Sequence, residues 1–216
     1  MDMGVALVQA YLRVLGYLTV SEYPILEAMR NGDHRTATDI DILALRFPHA
    51  CQLLPRQGHA EDQDTRIETA DPALGLDTGR IDMIIGEVKI GAAELNRAAT
   101  DPAVLRAALM RFGCCEHHDA GCVVDALLRR GEAVNPAGHR VRLVAFGSVP
   151  PAGVHRFRVI LLKDVVEYLR RHLRRHWDVL HHADFKDPAF SFLMMLEKAG
   201  EGVGHQHATI AGGGVP

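Results

Sequence analysis

Charged residues stand inside two largely apolar stretches: Asp39 and Asp41 in ATDIDILALR, which ends on Arg46, and Glu87 and Lys89 in DMIIGEVKI, which begins with Asp82. Burying an unpaired carboxylate is costly, and it is tolerated where a cation or a metal ion compensates. In an extended strand alternate side chains share a face. Ile85, Glu87 and Lys89 then point one way, and Ile84, Gly86, Val88 and Ile90 the other. By the same alternation Asp39, Asp41, Leu43 and Leu45 share a face opposite Ile40, Ile42 and Ala44. If the two strands are neighbours, Asp41 can sit beside Glu87. Two converging carboxylates make a hard oxygen site suited to Mg²⁺ or Mn²⁺. The Lys89 ammonium beside them could orient or help deprotonate a water and offset charge building on a phosphate. That assembly suits metal-assisted phosphodiester hydrolysis. The plainer alternative makes Glu87 and Lys89 an exposed pair on an edge strand, with Asp39 and Asp41 solvated.

Positioning these residues takes a helix and three strands. Val5, Val8, Tyr11, Leu12 and Leu15 keep helical spacing over residues 5–15, with Gln9 and Arg13 four apart on the other side, and Gly16 stops the helix. Residues 17–23 read as a strand that ends at Pro24, which cannot donate to a ladder. A turn, NGDHR, separates it from a strand over 37–46, and a third strand follows at 82–90. Both later strands are apolar enough to be buried on two sides. Between them runs a polar segment, roughly 47–80, of a length that is functional, disordered or conceals a short element.

The second half predicts a helix opened by Asp101-Pro102 and closed at Gly113, and another over about 120–130 ending at Gly131. Strands follow at 140–147 and 156–162. A capping box, Asp164 with Glu167, opens a helix to about Leu180, and Asp187-Pro188 opens a last one ending at Gly200. The order α-β-β-β-α-α-β-β-α-α implies a mixed sheet flanked by helices. Residues 1–200 are expected to form a single domain with the 47–80 insertion. The tail over 201–216 has little to bury and is expected to be disordered.

The chain has 216 residues, 48% of them hydrophobic and 24% charged, which excludes collagen, long disorder and a disulfide scaffold. Its formal charge of −3 excludes a histone-like basic protein, so a nucleic-acid contact must come from a local basic patch. Twenty of the 24 basic residues are Arg, which makes each Lys slightly more informative. The segment MDMGVALVQAYLRVLGYL carries Asp2 and Arg13 and has no basic leader with a small-residue cleavage site. No stretch reaches the roughly 18 apolar residues of a membrane span. A cytoplasmic protein is the expectation.

The pattern D-(x)n-(D/E)-x-K on adjacent strands, after an α-β unit, resembles the PD-(D/E)xK, or restriction-endonuclease-like, nuclease superfamily, which includes restriction enzymes and archaeal-type Holliday-junction resolvases. Here Asp41 in TDIDILA best matches the first acid, and Glu87-Val88-Lys89 is the second motif. The motifs cover roughly residues 5–90; the later elements match the αβββαβ core in order only. The resemblance implies that Asp41, Glu87 and the Val88 carbonyl hold the metal and that Lys89 serves the attacking water. Many members place a Glu on the first helix, and this helix has none. Glu22 on the first strand is the candidate substitute, with Glu27 a weaker one. The expected function is therefore a Mg²⁺- or Mn²⁺-dependent nuclease acting on DNA rather than RNA, with a homodimer among the assemblies it would allow. A rival expectation keeps the fold without hydrolysis, as a nucleic-acid-binding or assembly module. The missing helix Glu and the acidic net charge favour that rival.

Two other clusters attract attention. Cys114, Cys115, His117, His118 and Cys122 lie in CCEHHDAGC, but adjacent Cys-Cys and His-His pairs give poor tetrahedral geometry, so a His-rich helix connection is the simpler reading over a zinc-stabilised interaction protein. Arg170, Arg171, Arg174 and Arg175 stripe one helix, either as a phosphate grip or as a solvated face.

Overall fold

The structure, a computed structural model, describes residues 2–58, 65–67, 70–183 and 185–208, with side chains to residue 200. Helix α1 spans Met3–Val14. The Asp2 carboxylate caps it by accepting from the Gly4 N–H at 2.6 Å, and its apolar residues at helical spacing turn inward. Three long strands follow: β1 (Leu18–Ala28), β2 (His34–Arg46) and, after a short hairpin of β3 (Gln52–Leu54) with β4 (Thr65–Ile67), β5 (Asp82–Ala92). Then come α2 (Pro102–Phe112), α3 (Ala120–Arg130), β6 (Glu132–Val134), β7 (Arg140–Val149), β8 (Arg158–Leu161), α4 (Leu162–Arg175), α5 (Trp177–Leu180) and α6 (Pro188–Ala208).

Among the described residues six strands form one sheet in the order β1-β2-β5-β7-β6, with β8 also on β7. β1, β2 and β5 run antiparallel in succession; α2 and α3 then cross over so that β7 lies parallel to β5. α1 and α4 cover one face, where Ile42, Ile84, Val144 and Phe146 meet Val8, Leu12 and Leu169. α2 and α3 cover the other, where Leu43, Ile85 and Leu143 meet Leu105, Leu109 and Leu127. The protein is thus a mixed α/β structure whose mixed sheet is flanked by helices on both faces.

Several expectations are corrected. β1 does not stop at Pro24 but passes through it, pairing Pro24 with Asp39; it is an edge strand, where a missing N–H is tolerated. The polar segment holds β3, β4 and a turn at 72–75 that packs Leu74 into the core under α1; residues 59–64 and 68–69 lie outside the described set. Tyr11 anchors that turn by donating to Asp71 at 2.6 Å. The capping box at Asp164 is not used, because β8 runs straight into α4 and Leu161 is the residue at its N-cap. α4 also ends at Arg175, and α5 forms separately. Glycine at 200 does not stop α6, which continues to Ala208; the remainder of the expected tail is outside the described residues. The short strand β6 is a further element that sequence spacing did not indicate. Among the described residues no helix is long and apolar enough to cross a membrane.

Candidate active site

The ladder between β2 and β5 runs from Arg46↔Asp82 to Ile42↔Gly86 and then stops. One step further in the same register, Asp41 would face Glu87. There the Val88 N–H donates to Asp41 Oδ2 at 2.8 Å, so a side chain takes the place of the next ladder bond. β5 stays paired with β7 through Lys89↔Gly147, and β2 stays with β1 as far as His34. The sheet therefore forks at Asp41 and Glu87.

The fork has a local cause. Ile42 packs under α1, but Ile40 packs on the α2 side, although a regular strand would keep both on one face. The expected shared face of Ile40, Ile42 and Ala44 is thus corrected: β2 turns over at Asp41. β1 does the same at Glu22. Ser21 accepts from Gln9 of α1 at 3.5 Å, whereas Tyr23 packs into the α2-side core. Glu22 adopts φ 52°, a left-handed conformation that strains a non-glycine residue. Ser21↔Ile42 and Tyr23↔Ile40 are paired, so Glu22 and Asp41 are the two residues between, side by side at the twist.

The electrostatics match this crowding. Glu87 is only 5% exposed, and its Oε1 accepts from Asn96 Nδ2 at 2.5 Å. Burial first, then the charge of Asp41, push its carboxyl up to about 7, against the Asn96 bond and the Lys89 charge, which lower it. Burial likewise raises Asp41, helped by the charges of Asp2 and Glu22 and opposed by the Val88 N–H and Lys89. Asp41, Glu87 and Lys89 are therefore brought within electrostatic reach of one another, with the Val88 main chain between them. Glu22 joins through its effect on Asp41, and its Oε1 accepts from the Asp2 N–H at 3.3 Å. Asp39 is exposed opposite Pro24, and Glu27 pairs with Arg35 at the hairpin end.

Two residues at the site escaped the sequence reading. Asp2 carries an N-cap signature, Asp ahead of an apolar helix, which could have placed it at the start of α1 but not beside Asp41. Asn96 has no local signal at all. It is set by a loop whose own bonds aim it: Asn96 Oδ1 accepts from the Ala99 N–H at 2.6 Å. That loop leaves β5 against Gly147, where an added Cβ would lie 2.6 Å from Ala93 Cα and N. Gly147→Ala is expected to push the loop away, weaken the Asn96–Glu87 bond and destabilise the fold by about 1–3 kcal/mol, measured by urea unfolding.

Among the described residues no group of three or more His, Cys, Asp or Glu side chains is placed to hold a metal ion. The donors at the fork still suit Mg²⁺ or Mn²⁺. These ions take hard oxygen ligands, and Mg²⁺ commonly binds through one or two carboxylates while keeping several waters. A buried Glu87 raised by the neighbouring Asp41 charge, beside a half-buried Asp41 itself raised by burial and by Asp2 and Glu22, is a pair that a divalent cation would relieve.

The other clusters sit elsewhere. Cys114 is buried, with its thiol pushed up to about 12 by burial and by Cys115, while Cys122 is exposed and His118 lies near Glu116 and Asp119. In the arginine stripe, Arg170 and Arg174 both bond Glu197 of α6, at 2.6 and 2.7 Å, and Arg171 lies over the Tyr168 ring. These contacts tie α4 to α6 and to itself. No protein family, curated protein or solved structure matches the chain.

Proposed function

We propose that the protein is a metal-dependent nuclease that hydrolyses phosphodiester bonds, with a restriction-endonuclease-like core. One observation carries this reading: Asp41 and Glu87, from different strands, share electrostatic contact at the fork of the sheet, with Lys89 acting on both. The order α1, β1, β2, β5, α2, β7, with three antiparallel strands and a parallel fourth, supports the αβββαβ assignment. Asp41, Glu87 and the Val88 carbonyl would hold Mg²⁺ or Mn²⁺. When bound, that ion would supply Lewis-acid stabilisation of the phosphate and a more acidic water. Lys89 would orient the attacking water and offset the negative charge gathering on the phosphate oxygens. Asn96 fixes the rotamer of Glu87, and the Val88 N–H fixes that of Asp41, so both carboxylates are aimed before substrate arrives. DNA is preferred over RNA on the resemblance alone.

The test is nicking of plasmid and branched DNA with Mg²⁺ or Mn²⁺, the wild type beside Asp41→Asn and Lys89→Ala. Each substitution is expected to lower the rate by about 100-fold or more. Equal activity in all three would trace the nicking to a contaminant. A second reading, a binding or assembly module without hydrolysis, is favoured by the Val88 N–H occupying Asp41 Oδ2. Calorimetry with Mn²⁺ separates the two: binding supports the nuclease, and its absence supports the module.

A further inference from the structure

Strong positive charge gathers at a different part of the sheet. Arg130, Arg140, Arg142, Arg156 and Arg158 line one cavity of about 380 Å³ beside Gly131, with Glu132. A broader depression of about 820 Å³ shares Arg130, Glu132 and Arg140 with it. Arg140 pairs with Asp82 on β5, five residues before Glu87, which puts it roughly 16 Å along the strand from the fork. A volume of this size falls in the range of small-molecule sites.

Three of these arginines are held fixed. Arg158, Arg142 and Arg140 donate to the successive carbonyls of Ala73, Leu74 and Gly75, at 2.8, 2.6 and 2.9 Å. A carbonyl occupies a donor but does not cancel the charge. Arg140 also pairs with Glu132 at 2.6 Å, and Arg142 with Asp82 at 2.5 Å. Five guanidiniums thus face two carboxylates, and three positive charges are left over. The field is felt locally: Glu132 is held below the usual carboxylate range, first by its bond from Arg140 and further by the charges of Arg140, Arg142 and Arg158.

Arg130 and Arg156 differ from the other three. Both are exposed, and among the described residues neither has a hydrogen-bond or ion-pair partner. Their backbones are nevertheless seated together. Gly131, at φ 73°, ends α3 so close to the loop between β7 and β8 that an added Cβ would lie 1.9 Å from the Arg156 carbonyl oxygen. Two unpaired guanidiniums beside a fixed positive field repel one another, and an anion would relieve that repulsion. The planar fork of Arg matches phosphate oxygens in pairs.

We infer that this cavity binds a phosphate group, gripped by Arg130 and Arg156 within the field of Arg140 and Arg158. The group could belong to a small phosphorylated molecule or to a nucleic-acid backbone, since both present the same oxygens. The inference uses neither Asp41 nor Glu87, so it stands apart from the nuclease reading.

The experiment is calorimetry without divalent metal, in EDTA, using sodium pyrophosphate and separately a 16-bp DNA duplex. Wild type is compared with the double variant Arg130→Ala/Arg156→Ala. Its melting temperature is expected to equal or slightly exceed that of wild type, because neither side chain has a partner to lose and their repulsion is removed; Arg156→Ala alone serves if the double variant folds poorly. Pyrophosphate affinity falling about tenfold or more supports the site with a small phosphorylated ligand. Duplex affinity falling similarly, with the salt slope reduced by about 2, supports it with the backbone as source. Unchanged affinity for both probes, or no binding of either by the wild type, overturns it. No cleavage is measured, so loss of the nuclease reading would leave this result intact.

Discussion

Glu87→Gln is expected to give a protein that is more stable at pH 8 and inactive. Glu87 is buried beside Asp41, and its carboxyl is pushed up to about 7 from the ordinary 4.5. Between those values the folded state holds a proton that the unfolded chain has released. Without metal, stability therefore falls as pH rises from about 4.5 to about 7, and the full cost is present above 7. Gln carries no charge, and its amide oxygen can still accept from Asn96. The gain at pH 8 should be about 1–2 kcal/mol after allowance for solvent screening, shrinking towards zero near pH 4.5. Urea unfolding in EDTA at the two pH values measures it. The same raised pKa predicts that divalent-metal affinity and cleavage rise with pH between about 6 and 8, because the carboxylate must lose its proton to act as a ligand. A variant that is less stable than wild type at pH 8, or that still cleaves, removes Glu87 from the site.

Arg142→Met is expected to cause a large loss of stability, with no direct effect on the fork. Arg142 is 2% exposed and Asp82 is fully buried. The guanidinium forms a two-point bond to the carboxylate, Nε to Oδ1 at 3.0 Å and Nη2 to Oδ2 at 2.5 Å, and also donates to the Tyr17 hydroxyl and the Leu74 carbonyl. Tyr17 in turn donates to Asp82 at 2.5 Å, and burial with the Asp82 charge pushes its phenol well above the usual range. Removing the guanidinium strands a buried charge, at a cost of about 3–5 kcal/mol. A triple variant, Arg142→Met with Asp82→Leu and Tyr17→Phe, removes both buried charges and the phenol hydroxyl together and should recover most of that loss. Equilibrium unfolding in urea compares the three proteins. A cost below about 1 kcal/mol for the single change would mean that Asp82 finds water or another partner.

Much of the framework was legible in local patterns. The apolar spacing of α1, the Asp101-Pro102 start and Gly113 stop of α2, and the Gly131 stop of α3 lie where propensity and capping place them, because helix boundaries depend on neighbours a few residues away. The apolar run ahead of Glu87 likewise marked a strand that is buried from Asp82 to Glu87, although Lys89 is half-buried and Ile90, expected inside, is exposed. Where several elements compete, local patterns misled. Pro24 reads as a strand end until β1 proves to be an edge, and the pair Asp164 and Glu167 reads as a helix start until β8 leads directly into α4.

What the sequence determined by itself was the set of unusual residues: acids and a lysine in apolar strands, and a reason to look at Asp41, Glu87 and Lys89. Tertiary structure alone decided how they meet. The reversal of β1 and β2 at Glu22 and Asp41, the loop that brings Asn96 to Glu87, and the three arginines holding the 73–75 turn each join residues far apart in the chain. Such contacts leave no periodic trace, because hydrogen bonds and buried charges are satisfied by whatever partner the packing delivers rather than by a neighbour at fixed spacing.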